Sequence, residues 1–243
     1  MAVSLCADGQ FLQQAVLTAY FQSKGTEMNS LDEIGQFHGT DKSSRGHGYL
    51  DVYETLFLPL RDAPILLVEL GVGPQRNMGK SLLSWQDYFP NAEIVGVDIR
   101  PDARKIASDR ITIEIGDLGD LGFLRELAAK YQPDILLDDA SHRWSHQILT
   151  AEMLIPSVKP SGIYICEDLQ TSFPPLRERG YADAPLDAAS WFQQLAGCVL
   201  GRGARRPGVD VHAPTPMQVA LAKEIYSVTF AYGTCALRKK ATG

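Results

Sequence analysis

Residues 65–73 read Ile-Leu-Leu-Val-Glu-Leu-Gly-Val-Gly, an apolar run of strand length that breaks into two glycines. Its near-continuous apolar character, with no polar alternation, fits a strand buried on both faces of a parallel sheet. Working outward, the pattern recurs at Glu93–Asp98, Ile111–Ile115, Asp134–Asp138 and Gly162–Glu167. Amphipathic stretches of helix length lie between these runs, at Lys80–Tyr88, Arg100–Ala107, Leu121–Tyr131 and His142–Val158. One β+α unit every roughly 25 residues predicts a doubly wound, Rossmann-like α/β sheet. The tail departs from the alternation: Glu224–Tyr232, a Gly233-Thr234 turn and Cys235–Lys239 read as an antiparallel hairpin. With it the sheet has seven strands and is mostly parallel.

Composition bounds the function. The 243 residues carry 23 Lys+Arg against 29 Asp+Glu, a net charge of -6, and 45% are hydrophobic, which describes a folded domain with a sizeable core. The acidic balance argues against nucleic acid as a partner, and no apolar run approaches the roughly 20 residues of a membrane span. The first twenty residues lack a positive n-region and are interrupted by Asp8, so they read as an amphipathic helix and not a signal peptide. Cys6, Cys166, Cys198 and Cys235 have no C-x-x-C spacing, which fits a reducing cytoplasm. The expected organisation is one domain: a helical cap over 1–60, a cofactor-binding core over 61–170, a variable acceptor or lid segment over 171–223, and the terminal strand pair over 224–243. Homo-oligomerisation stays open.

In such a sheet ligands bind beyond the carboxyl ends of the strands. Those ends read Glu69-Leu-Gly71-Val-Gly73, Asp98, Gly116-Asp117-Leu118, Asp138-Asp139-Ala-Ser-His142 and Glu167-Asp168. Single acids there cap the following helix; an acid at every one of five ends asks for another reason. Gly71 and Gly73 let backbone approach a ligand, while Arg76 stands where a dinucleotide fingerprint wants its third glycine. Glu69 can accept from an ammonium group and Asp98 can take both hydroxyls of a ribose. Asp117 is placed for an adenine amino group, with Leu118 packing on the ring. Together they describe a nucleoside with a cationic amino-acid tail, S-adenosylmethionine, and hence a class I methyltransferase. Asp138, which ends its strand, is counted with these cofactor contacts.

A second constellation is Asp139, His142, Glu167 and Asp168. Three carboxylates brought together repel unless they are protonated or bound to a cation, and an all-oxygen set suits Mg²⁺ or Ca²⁺ better than zinc. A metal there would orient a substrate hydroxyl and lower its pKa while His142 takes the proton. Capping roles for Glu167, Asp168 and His142 are the plain alternative. His146 reads as a bystander, Trp85, Trp144 and Trp191 as packing residues, and the cluster of Arg202, Arg205 and Arg206 as a solvated loop.

These segments resemble the metal-dependent O-methyltransferases of antibiotic biosynthesis, of the mycinamicin-type macrolide-sugar 2''-O-methyltransferase kind, and the related family known as cephalosporin hydroxylases. The matching stretches are Phe37–Ser44 (F-H-G-T-D-K-S-S) with Gly46–Tyr49 and Tyr53-Glu54, then Glu69–Gly73, Gly96–Ile99 and Gly116–Asp117. They continue with Asp138–His142 (D-D-A-S-H) and Cys166–Ser172 (C-E-D-L-Q-T-S). The resemblance implies Mg²⁺ on Asp139, Glu167 and Asp168, His142 as general base, and Tyr49 and Tyr53 near the cofactor. Ala140 replaces the usual glycine, and the large N-terminal auxiliary domain of the macrolide enzymes is not expected, so their substrate and assembly do not carry over.

The resulting expectation is a cytoplasmic enzyme that moves the S-adenosylmethionine methyl group to a hydroxyl of a sugar or other polyhydroxylated natural product, assisted by Mg²⁺. The rivals are a carboxyl- or N-methyltransferase of a small molecule, a non-catalytic S-adenosylmethionine-binding partner protein, and a dinucleotide-dependent reductase, which Arg76 disfavours.

Overall fold

The computed structural model describes residues 30–201 and 213–242. The amphipathic helix expected in the first twenty residues and the Arg202–Arg206 cluster lie outside them.

Seven strands form one sheet: β1 (Leu66–Leu70), β2 (Glu93–Asp98), β3 (Ile111–Ile115), β4 (Ile135–Asp138), β5 (Ile163–Cys166), β6 (Ile225–Ala231) and β7 (Thr234–Lys239). Their spatial order is β3-β2-β1-β4-β5-β7-β6. The first five are parallel, and β7 runs antiparallel to both β5 and β6. The terminal hairpin therefore sits at the edge, as its composition predicts. Strand order reverses between β1 and β4, and this switch point leaves a crevice at the carboxyl ends.

Helices cover both faces. On one side lie α1 (Leu31–His38), α2 (Leu50–Phe57) and α3 (Lys80–Tyr88), packing Tyr53, Phe57, Trp85, Tyr88 and Phe89 on the sheet. On the other lie α4 (Leu121–Lys130), α5 (Trp144–Leu154), α6 (Ala188–Leu200) and α7 (Pro216–Ala222), around Trp144, Leu154, Trp191, Phe192 and Leu195. Local chemistry sets the helix ends. Ser30 and Glu33 make a reciprocal capping box on α1, which Gly39 closes in the left-handed conformation; Thr215 and Gln218 cap α7 in the same way.

Two expected helices come out differently. Arg100–Ala107 is a 3-10 helix over Pro101–Ile106 and not an α-helix. Arg100 is extended and bound to Asp98, and Pro101 then opens a connection too short for a full crossover helix. The expected His142–Val158 helix starts at Trp144, because His142 has φ 56, which cannot continue into a right-handed helix. It tightens into a 3-10 turn over Ile155–Ser157, where Pro156 removes a backbone donor. Within 171–223, expected to be variable, α6 and α7 bury Trp191, Phe192, Leu195 and Leu221 in the core. No described helix is long and apolar enough to cross a membrane.

Candidate active site

A cavity of about 340 Å³ opens at the carboxyl ends of the five parallel strands. It is lined by Gly71–Gly73 after β1, Asp98–Arg100 after β2, Gly116–Leu118 after β3, Asp139–His142 after β4 and Glu167–Asp168 after β5. Thr40, Asp41, Lys42 and His47, from the loop between α1 and α2, complete the wall. His146, read as a bystander, lines it too, with Nδ1 3.0 Å from the Ser141 hydroxyl.

At the β1 end, Gly71 has φ 95 and packs so closely on the next strand that a Cβ would stand 2.2 Å from the Asp139 carbonyl oxygen. Only glycine meets both demands. Asp98 Oδ2 accepts from the Val72 amide at 3.0 Å, and Oδ1 accepts from the Arg100 amide at 2.9 Å. The Arg100 guanidinium forks onto the same carboxylate and also donates to the Gly73 carbonyl. Burial pushes the Asp98 carboxyl up, but these donors outweigh it and hold it below the usual range. Asp117 is more open and accepts from the Gly119 amide at 2.8 Å.

Two acids expected to touch the cofactor stand one layer behind the cavity wall. Glu69 is fully buried and turned toward α3, where Oε2 accepts from the Ser81 hydroxyl at 2.9 Å and from the Trp85 indole at 2.8 Å. Burial pushes its carboxyl up to about 7, against the pull of Lys42. Asp138 faces α5, bonded by the Thr150 hydroxyl, and burial pushes it up to about 6. The pleat is the reason: alternate residues of a buried strand face opposite helix layers, and here it turns Glu69 toward α3 and Asp138 toward α5.

Of the second constellation, Asp139, His142 and Asp168 gather their ligand atoms, while Glu167 stands outside that group, bonded by Lys42 and Tyr53. Tyr53 donates to Glu167 Oε1 at 2.8 Å, Tyr49 donates to Asp168 Oδ1 at 2.7 Å, and Gln170 adds a bond to Asp168 at 2.6 Å. His142 Nε2 is 3.2 Å from Asp168 Oδ2, and Nδ1 is 4.0 Å from Asp139 Oδ1. Burial alone would raise the Asp168 carboxyl, yet the His47 and Tyr49 hydrogen bonds and the His142 charge hold it well below its ordinary value. Tyr49 thus reaches the site through Asp168 and stays behind the cavity surface.

The residue missing from the sequence reading is Lys42. Its side chain is 2% exposed, and its ammonium donates to Asp139 Oδ2 and, at 2.7 Å, to Glu167 Oε2, with Glu69 Oε1 at 3.5 Å. One fixed cation therefore stands among three acids, Glu69, Asp139 and Glu167, while Asp168 lies with Asp139 and His142. Even so, burial and mutual repulsion push the Asp139 and Glu167 carboxyls above their ordinary values. Asp139, His142 and Asp168 each offer a ligand atom, all within 4.8 Å of one another, and the buried Nδ1 of His142 has no hydrogen-bond partner. Surplus negative charge and oxygen donors fit a divalent cation, and the unpartnered nitrogen stands beside these donors free to take a proton.

No family model matches the chain. It is 38% identical over 158 residues to 8-demethyl-8-(2-methoxy-alpha-L-rhamnosyl)-tetracenomycin-C 3'-O-methyltransferase of Streptomyces olivaceus, matching 63% of this chain and 39% of that protein. It is 33% identical over 155 residues to mycinamicin VI 2''-O-methyltransferase of Micromonospora griseorubida, matching 62% of this chain and 39% of that protein. The chain spans less than half the length of these curated relatives. Among solved structures, the MycE methyltransferase from the mycinamycin biosynthetic pathway in complex with Mg and SAH superposes with a TM-score of 0.76 at 23% identity. That match covers 99% of this chain and 62% of MycE. The likeness is one of fold: a seven-stranded, mostly parallel α/β sheet with the same chain path.

Proposed function

We propose that this chain is an S-adenosylmethionine-dependent O-methyltransferase that acts on a hydroxyl of a sugar or another polyhydroxylated natural product, assisted by Mg²⁺. One observation carries the reading. A single cavity joins a half walled by Gly71–Gly73, Asp98 and Asp117 to an acid half walled by Asp139, His142, Glu167 and Asp168. The sugar O-methyltransferase names of the relatives support the same reaction class.

In the first half, Asp98 serves the ribose hydroxyls, sharing them with or displacing Arg100. Asp117 serves the adenine edge beside Leu118, and the Gly71–Gly73 backbone allows close approach. Glu69 and Asp138 act from behind, fixing the loops after β1 and β4, and Tyr49 fixes Asp168. In the second half, Asp139 and Asp168 hold the metal with Glu167, whose oxygens each keep a free lone pair beside Lys42 and Tyr53. When bound, S-adenosylmethionine supplies an electrophilic methyl group, and Mg²⁺ supplies positive charge that makes a hydroxyl more acidic. His142 takes the hydroxyl proton at Nδ1, the ring nitrogen left without a partner, while Asp168 holds Nε2 and so sets the tautomer. Most of the rate enhancement comes from holding the acceptor oxygen in line with the methyl group. Tyr181, its ring centroid 6.3 Å from that of His142, brings the 171–223 segment to the acceptor side.

A carboxylate is already nucleophilic and needs neither metal nor base, and a binding partner needs no catalytic cluster, so the acid half favours the hydroxyl reaction over both. Calorimetry of S-adenosylhomocysteine and Mg²⁺ on wild type and Asp139→Ala tests this. Wild type should bind both, and the variant should keep the nucleoside but lose the metal. Failure of wild type to bind the nucleoside overturns the reading; nucleoside binding without metal overturns its metal-assisted part. A panel of hydroxylated acceptors with EDTA controls then identifies the substrate.

A further inference from the structure

Lysine is seldom sealed inside a protein, because its ammonium is strongly hydrated and leaves water only for opposite charge. Lys42 is sealed, and its three partners come from three neighbouring strand ends: Glu69 in β1, Asp139 after β4 and Glu167 after β5. The loop that carries it is wound around it. The Tyr49 amide donates to the Lys42 carbonyl at 2.8 Å, the His47 amide donates to the Asp41 carbonyl at 2.6 Å, and Thr40 and Ser43 are buried. Main chain and side chain of one residue thus close the loop and drive it into the acid cluster.

We propose that Lys42 is a positioning residue of this site: a built-in counter-ion that turns Asp139 and Glu167 toward each other and docks the 39–49 loop on the strand ends before any ligand arrives. The proposal rests on the reading of the site given above, yet it concerns the ligand-free protein. Lys42 occupies Asp139 Oδ2, which leaves Oδ1 on the His142 side, while Tyr53 takes the Glu167 oxygen that Lys42 does not. Without the ammonium, three crowded carboxylates repel one another and the loop loses its tie to Asp139 and Glu167, keeping the contacts of Tyr49 and His47 with Asp168 at its far end.

Hydrogen exchange read by mass spectrometry on the metal-free full chain tests this, with Lys42→Met, Lys42→Arg and the double variant Lys42→Met/Glu167→Gln. In wild type the amides of residues 40–49 should be protected with or without Mg²⁺. Lys42→Met should exchange there at least tenfold faster, with protection partly restored by Mg²⁺ and the α5–α6 core unchanged. Lys42→Arg should stay within about threefold of wild type. Mn²⁺ added as a paramagnetic probe should give one ordered signal in wild type and Lys42→Arg, and a broadened one in Lys42→Met. If Lys42→Met does not fold, the double variant, which removes the uncompensated charge and keeps a partner for Tyr53, carries the same test. Wild-type protection of 40–49 in metal-free Lys42→Met, or in the double variant where Lys42→Met does not fold, overturns the proposal, as does an unchanged Mn²⁺ signal in a folded Lys42→Met. Failure of wild type to bind S-adenosylhomocysteine would overturn the function reading alone.

Discussion

His142 Nε2 lies 3.2 Å from Asp168 Oδ2, and both residues hold left-handed backbone, with φ 56 and 57. They belong to different loops, one after β4 and one after β5, and each loop bends through a conformation that costs a non-glycine residue about 1 kcal/mol. Two such bends facing each other across a cavity are repaid by the contact they create. Tyr49 and Gln170 bond Asp168 from behind, so the histidine is presented to a fixed carboxylate.

This geometry decides how His142 should be tested. Alanine would remove the imidazole and also strain the backbone, whereas asparagine tolerates the left-handed conformation. His142→Asn should therefore lower turnover by about 10²–10⁴-fold, the range for a lost general base. S-adenosylhomocysteine affinity should stay within a few-fold of wild type. Steady-state kinetics and calorimetry check both, and wild-type turnover in His142→Asn would remove the base assignment.

Gly71→Ala probes the crevice itself. The added Cβ would stand 2.2 Å from the Asp139 carbonyl oxygen, at a φ of 95. The three nearest atoms, the Asp139 carbonyl oxygen and carbon and the Ala140 Cα, are all backbone and cannot swing away, so β1 and β4 must separate. The expected cost is about 2–4 kcal/mol of folding stability, with a matching loss of nucleoside affinity. Urea unfolding of the two proteins measures it.

Asp98 offers a separable binding prediction. Its carboxylate accepts from Val72 and Arg100 in the ligand-free protein, and ribose hydroxyls would share or replace the Arg100 bonds. Asp98→Asn keeps the shape but loses charge and one acceptor. S-adenosylhomocysteine should bind about ten- to a hundredfold more weakly, the worth of a charge-assisted hydrogen bond. The Mg²⁺ affinity measured beside it should not move, because Asp98 lies in the other half of the cavity.

The strands were legible because burial on both faces leaves an unbroken apolar run, and the crevice followed from their order. Asp139, His142 and Asp168 were legible as a group because they lie just past strand ends. Lys42 was not: a lysine inside G-T-D-K-S-S has the local look of a solvated turn, and its burial is set by partners distant in the chain. The usable signal was the acid cluster itself, since converging carboxylates with no nearby base imply that a cation comes from elsewhere. Strand position alone puts Glu69 and Asp138 at the ligand, whereas the pleat turns them into the helix layers. Amphipathic spacing starts a helix at Arg100, yet its side chain is spent on Asp98.

Glu69 also sets a pH dependence whose sign can be worked out. Its carboxyl is pushed by burial up to about 7 from an ordinary value of 4.5. Between those two values the native protein keeps a proton that the unfolded chain has released, so stability falls as pH rises through this window and levels off above about 7. The full effect is on the order of 3 kcal/mol. Asp138, pushed up to about 6 by burial, adds to the same slope. Asp98 and Asp168 act in the opposite sense, but only in acid, because their carboxyls lie below the ordinary 3.8. Glu69→Gln keeps an acceptor for the Trp85 indole and a partner for the Ser81 hydroxyl, and it has nothing to titrate. Wild type should therefore lose stability between pH 5 and pH 7.5 in urea unfolding, at about those two settings, while Glu69→Gln should lose less. The remainder comes from Asp138, Asp139 and Glu167, which are raised in the same sense. A variant as pH-sensitive as wild type would show that the buried proton in this window is not held by Glu69.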